Sequence, residues 1–231
     1  MNIKKHLEEL NVRTQEIFSE TIQNSIQFGK AHNIAVNIYE FSESVMDVDE
    51  RSMLSSVSSQ LEYSVLNLAL GLYRQSFFSL RLALEMGLGA IHFSINKLEY
   101  QEWTKGEADI KWARLTNEDD GILSKRFANA FFPELNSFIC TQRKKAVAVY
   151  RTLSEYVHGN KETWNHDGVK LRYNPSLVDM FFQKYHDIGE VVLFLLSCRY
   201  LKSISNFDLD SVDFLKEDLN HIGPIRTLFI N

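Results

Sequence analysis

Proline and glycine are scarce, with three and ten among 231 residues. So few chain-reversing residues exclude a protein built from many short strands joined by tight turns. Cysteine is scarcer still, at two. Cys140 and Cys198 stand in apolar helical stretches and make no disulfide framework, so both read as small core residues of a reducing compartment. No apolar run reaches the roughly 20 charge-free residues of a membrane-crossing helix. The most apolar stretch, 65–95, carries Arg74, Arg81 and Glu85, which are costly in hydrocarbon. Met1 to Glu9 runs straight into acidic residues, so no secretory leader is expected and the cytoplasm is the expected compartment. Phosphate-cradling glycine loops, a G-x-S-x-G elbow and a His-Glu-x-x-His helix are all missing. Their absence argues against nucleotide-driven and zinc-protease chemistry. A formal net charge of −5 excludes a strongly basic, non-specific nucleic-acid binder. A local basic cleft needs only a few placed cations and remains compatible with it.

What the chain does have is helical periodicity. Ile3, Leu7, Leu10, Ile17, Phe18, Ile22 and Ile26 recur at three- and four-residue spacing, as in one amphipathic helix or two shorter ones. Residues 32–49 are polar without a clear period and read as a connection, with a brief strand or helix at Ile34 to Phe41. Met53, Val57, Leu61, Val65 and Leu68 predict a helix capped by Asp49 or Ser52 and interrupted at Gly71. A second helix, from about Arg74 to Ile95, is expected to pack antiparallel to it. Trp103 and Trp112 read as residues that lock a loop onto the core rather than as a base-stacking platform. Asn117 to Gly121 reads as a turn that caps a short helix over 123–132. From Glu134 a long helix runs to His158, followed by a polar loop over 160–175. Pro175 opens a last long helix to about Ser203, then come a short helix over 208–219 and a tail from Ile225. The expected fold is all-α, an antiparallel bundle of about six or seven helices with little or no sheet. The expected division is a helical extension over 1–50, the bundle over 51–205, and a short helix and tail over 206–231.

Candidate chemistry sits on one helix end. Arg151 and His158 are seven positions apart, two helical turns and roughly 10 Å along the axis. Ser154 and Glu155 fall between them on the same face, and Gly159 supplies the residue that closes a helix. The same residues also fit an ordinary Arg151–Glu155 surface ion pair and a histidine suited to the negative end of the helix. Arg143, Lys144 and Lys145 are candidate phosphate contacts or else a solvated charged face. Arg81 and Glu85 form either an internal salt pair or part of the site's wall. Glu118, Asp119 and Asp120 lack the alternation of a calcium loop. His158, His166 and Asp167 make a weak metal donor set. No metal and no cofactor are expected.

The pattern Tyr150-Arg151-x-Leu153-Ser154-Glu155-Tyr156-Val157-His158-Gly159 resembles the signature of HEPN domains, an Arg and a His separated by four to six residues. Within that superfamily it looks like the version found in defence and abortive-infection proteins. Gly71-Leu-Tyr73 followed by Leu80-Arg81-Leu-Ala-Leu-Glu85 is similar to the helix that precedes the signature in such proteins. The two anchors keep the family's order over residues 55–200. Thr152 departs from the Asn, Asp or His that often follows the arginine. The resemblance implies metal-independent RNA cleavage by 2′-OH attack, leaving a 2′,3′-cyclic phosphate and a 5′-OH. His158 would move protons and Arg151 would grip the phosphate. Ser154 would donate to a phosphate oxygen and Glu155 would orient Arg151 or His158, with Tyr150, Thr152 and Asn160 beside them. It also implies a homodimer with a composite site and RNA as substrate; the lack of an apolar span separately implies no membrane partner. Two other functions fit the same resemblance. One is a non-catalytic module for RNA, a nucleotide or a partner protein such as a nucleotidyltransferase-type antitoxin. The other is a sensor of a nucleotide or phage component.

Overall fold

The most apolar stretch of the last long helix fixes the arrangement of the others. In the computed structural model, which describes residues 2–159, 171–203 and 209–229, every residue from Val191 to Cys198 is buried. A helix that is apolar on all sides must be surrounded. Here α9 (Pro175–Tyr200) is packed by α2 (Ser25–Glu43), α4 (Tyr73–Ile95) and α8 (Asn136–His158). α3 (Val48–Ala69) pairs with α4 as a hairpin, and α1 (Ile3–Thr21) lies against α3. Short helices α5 (Lys97–Thr104), α6 (Trp112–Leu115) and α7 (Lys125–Phe131) lead from α4 to α8. One-turn helices α10 (Leu215–Asp218) and α11 (Gly223–Arg226) complete the chain. All regular elements among the described residues are helical, the all-α bundle read from the sequence.

Helix ends follow from local chemistry. Gly71 takes φ +74°. The Gly71 N–H donates to the Leu68 carbonyl at 2.9 Å and the Leu72 N–H to the Asn67 carbonyl at 2.8 Å. Together these form the paired bonds of a left-handed helix stop. A Cβ at Gly71 would come within 2.9 Å of Ile17 Cγ2, so this turn is also where α1 seats. The cap of α3 is Asp47, not the expected Asp49 or Ser52. Its carboxylate accepts the N–H groups of Asp49 and Glu50 at 3.0 and 3.1 Å. Lys97 donates to the same carboxylate at 2.8 Å. That bond, with the backbone donors, holds the Asp47 carboxyl below its ordinary range. The turn at Asn117 forms as expected, its side chain accepting from Asp119 at 2.8 Å, but Ser124 caps α7.

Two stretches differ from the sequence reading. The connection is confined to 44–47, because α2 runs unbroken to Glu43 and takes in the brief helix expected as one alternative at Ile34 to Phe41. Its buried stripe is Ala31, Ala35, Ile38 and Phe41. Alanines carry little hydrophobic contrast, and His32, Asn33 and Asn37 interrupt the pattern. The contacts are nevertheless close. The Tyr185 hydroxyl donates to the Ala31 carbonyl and the Ser58 hydroxyl to the Ala35 carbonyl, each at 2.8 Å. Residues 1–50 thus contribute fully buried side chains, Ile38 and Phe41 among them, to the shared core. At the other end, Ile225 opens no tail. Pro224 occupies the first turn of α11, where a missing N–H is harmless, and Ile222 and Ile225 are fully buried.

Among the described residues, α4 alone is long and apolar enough to cross a membrane, and 61% of its most apolar window is buried in the bundle. Cys198 is buried as well, which pushes its thiol up to about 12.

The continuity of α2 has a measurable consequence. Gly29 lies within α2, and a Cβ added there would meet no atom within 4 Å. Gly29→Ala is expected to raise stability by about 0.5–1 kcal/mol in urea denaturation, the cost of a mid-helix glycine.

Candidate active site

α8 turns Ile139, Ala146, Val149 and Leu153 inwards. Lys144, Arg151 and His158, spaced by seven, are exposed on the opposite face. The helix end is anchored from α4. Arg74 donates from Nε to the Tyr156 carbonyl at 2.8 Å, satisfying one of the carbonyls that a helix end leaves open. Gly159 then takes φ +66° and its N–H donates to the Glu155 carbonyl at 3.1 Å. The Tyr73 hydroxyl accepts the Asn174 N–H at 2.8 Å, tying the start of α4 to the start of α9.

Arg81 is the hub of the site. Its side chain is only 13% exposed, and a cation so placed needs partners. Glu85, one turn on, accepts from Nε at 3.3 Å and from Nη2 at 3.2 Å. Nη2 also donates to the Tyr150 hydroxyl at 2.7 Å. Nη1 lies 3.2 Å from Nε2 of His158. A guanidinium only donates, so this contact requires an unprotonated Nε2 and places the ring proton on Nδ1. The guanidinium also sits 4.5 Å from the Tyr150 ring centre. Trp112 stacks on that ring at 3.8 Å, with the planes 6° apart. Burial pushes the Tyr150 phenol above its ordinary range, against the lowering influence of Arg81.

These contacts join both sequence readings of Arg81, as partner of Glu85 and as wall of the site, though it meets His158. Trp103 packs against Phe93 with ring centres 5.3 Å apart, as a core-locking residue does. Trp112 locks α6 onto α8 and thereby joins the site, which the sequence did not reveal. Neither did it reveal Arg74 as the anchor of the helix end.

Other candidates are placed differently from their expected roles. The Ser154 hydroxyl donates to the Tyr150 carbonyl at 2.7 Å and the Thr152 hydroxyl to the Ala148 carbonyl at 3.1 Å. Both protons are turned onto their own helix, so Ser154 offers a phosphate no donor in this arrangement. The basic triplet diverges. Arg143 pairs with Glu118 at 2.5 Å, while Lys145 bonds Glu190 of α9 and lies 3.9 Å from Asp187. Lys144 alone of the three shares the exposed face of Arg151. Arg151 makes no ion pair with any described residue, Glu155 included. Asn160, His166 and Asp167 lie outside the described residues. Among the described residues, no group of three His, Cys, Asp or Glu is placed to hold a metal ion.

Two measurements check this geometry. Tyr150→Phe removes the hydroxyl that accepts from Arg81 and is expected to cost about 0.5–1.5 kcal/mol of stability. Glu190 concerns the Lys145 side. Burial raises its carboxyl, but bonds from Gln142 and Lys145 outweigh burial and hold it below its ordinary value. Its stabilising contribution is therefore complete above the unfolded value near 4.5. It is lost as pH falls through the lower folded value. Stability measured from pH 6 down to pH 3 is expected to fall less steeply in Glu190→Gln than in the wild type.

Compared with protein-family models, curated proteins and solved structures, the chain gives no significant match.

Proposed function

We propose that the protein is a metal-independent endoribonuclease of a defence or toxin–antitoxin type, acting in the cytoplasm as a homodimer with a shared site. The observation that carries this reading is the placement of Arg151 and His158 on the open face of one helix end. The HEPN-like sequence pattern supports it. In the reaction, Nε2 of His158 is released from Arg81, the ribose 2′-OH attacks the adjacent phosphorus and its proton passes to that nitrogen. The P–O5′ bond breaks and the leaving oxygen takes a proton, giving the 2′,3′-cyclic phosphate and a 5′-OH. Arg151 neutralises charge on the non-bridging oxygens, with a geometry suited to two parallel hydrogen bonds. One arginine and one histidine do not fill both acid and base roles. Two copies related by a two-fold axis bring a second His158 as the acid.

A second reading has its own support. Arg81 occupies Nε2 of His158, and Thr152 departs from the family's pattern. Together these favour a non-catalytic module whose α8 stripe binds an RNA, a nucleotide or a regulatory protein partner.

Cleavage of labelled RNA in EDTA separates the two. The wild type is expected to cut and to leave cyclic-phosphate ends. His158→Ala and Arg151→Ala are each expected to cut about 100-fold more slowly or worse. Equal cutting by all three would remove the catalytic reading. A dimeric wild type that never cuts, yet binds RNA equally well as His158→Ala, would support the module.

A further inference from the structure

A concave surface formed by α1, α2, α3 and α9 shares no residue with the α8 site. It encloses about 330 Å³, within the range of small-molecule pockets. Its walls are Phe18, Phe28 and Val65, and Tyr185 forms its floor. Tyr185 is fully buried and its hydroxyl donates to the Ala31 carbonyl, so its proton is already committed. Glu62 and His32 are the other ionisable groups in the lining, and no lysine or arginine joins them. Glu62 is exposed at the mouth and makes no hydrogen bond or ion pair with a described residue. Its charge acts on the floor of the pocket, because burial and then the Glu62 carboxylate push the Tyr185 phenol far above its ordinary range.

We infer that this cavity binds a small hydrophobic cation, a primary amine with an aromatic or aliphatic body. The body lies against Phe18, Phe28 and Val65, and the ring faces of the two phenylalanines are electron-rich and favour a cation nearby. The ammonium meets Glu62 at the mouth, where it keeps part of its hydration. A carboxylate ligand of the same shape would meet the Glu62 carboxylate at the mouth, with no lysine or arginine in the lining to offset it. The apolar mouth fits the same ligand class, since Ile22 and Leu66 stand 40% and 52% exposed beside the opening. The site is independent of the ribonuclease reading.

Isothermal titration of the full chain with 2-phenylethylamine, 2-phenylethanol and phenylacetate tests the assignment. The amine is expected to bind one to one and roughly five-fold tighter than the alcohol, as an exposed ion pair contributes. Phenylacetate is expected not to bind. Glu62→Gln should erase the preference of amine over alcohol. Leu66→Trp, a substitution at the exposed mouth, should block binding while circular dichroism and thermal melting match the wild type. Three results would overturn the inference: no binding by any of the three, equal binding of amine and acid, or amine binding that survives Leu66→Trp. Alcohol bound as tightly as amine would also overturn it, marking the cavity as a socket for an apolar side chain of a partner protein.

Discussion

The apolar surface of α9 faces every direction over Val191–Cys198, so no single partner helix can bury it. Helices α2, α4 and α8 close around it, and each must then present its own apolar stripe inwards. What remains on the outside follows. On α8 the outer face is the polar stripe Lys144, Arg151 and His158. On α3 and the α1–α2 turn it is the mouth of an apolar cavity. Both candidate sites are by-products of one burial requirement. Neither needs a loop to hold its charged residue, since Arg151, His158 and Glu62 all stand on helices of the bundle. Rigid elements of this kind hold functional groups more closely than loops do.

The seam between α4 and α8 shows how packing turns a structural ion pair into part of a site. Arg81 lies on a helix that faces the core along most of its length. Withdrawing a guanidinium from water is costly unless its donors find acceptors. Glu85 supplies one, and the α8 helix end supplies Tyr150 and His158. Trp112 covers the other face of the Tyr150 ring. The histidine is therefore tied to the interior through one nitrogen while its ring remains exposed. Arg151 follows Tyr150 directly but lies on the exposed face and projects into solvent. Arg151 and His158 thus differ in freedom although the same helix carries both.

Much of this was legible in the chain. The α3–α4 hairpin could be read from Met53, Val57, Leu61 and Gly71, because large apolar residues at helical spacing and a left-handed stop are local signals. The long α8 and its closure at Gly159 were legible for the same reason, as was the start of α9 at Pro175. Failures came where the signal was weak or non-local. α2 was hidden because Ala31 and Ala35 bury little surface each, and their burial is decided by Tyr185 and Ser58 on other helices. The α3 cap moved to Asp47 because Lys97, distant in sequence, stabilises its carboxylate. Ser154 was given an outward role, whereas short hydroxyl side chains within a helix readily bond their own backbone, as both Ser154 and Thr152 do.

The sequence by itself determined the helical class, the main helix boundaries and the common face of Arg151 and His158, since a helix's periodicity fixes which of its own residues align. Only the tertiary structure decided that Arg81 meets His158, that Trp112 joins the site and that Arg143 and Lys145 leave it. Those outcomes depend on which helices become neighbours. Neighbours are chosen by the burial of α9 as a whole and by paired charges far apart in the chain, and no local pattern records either.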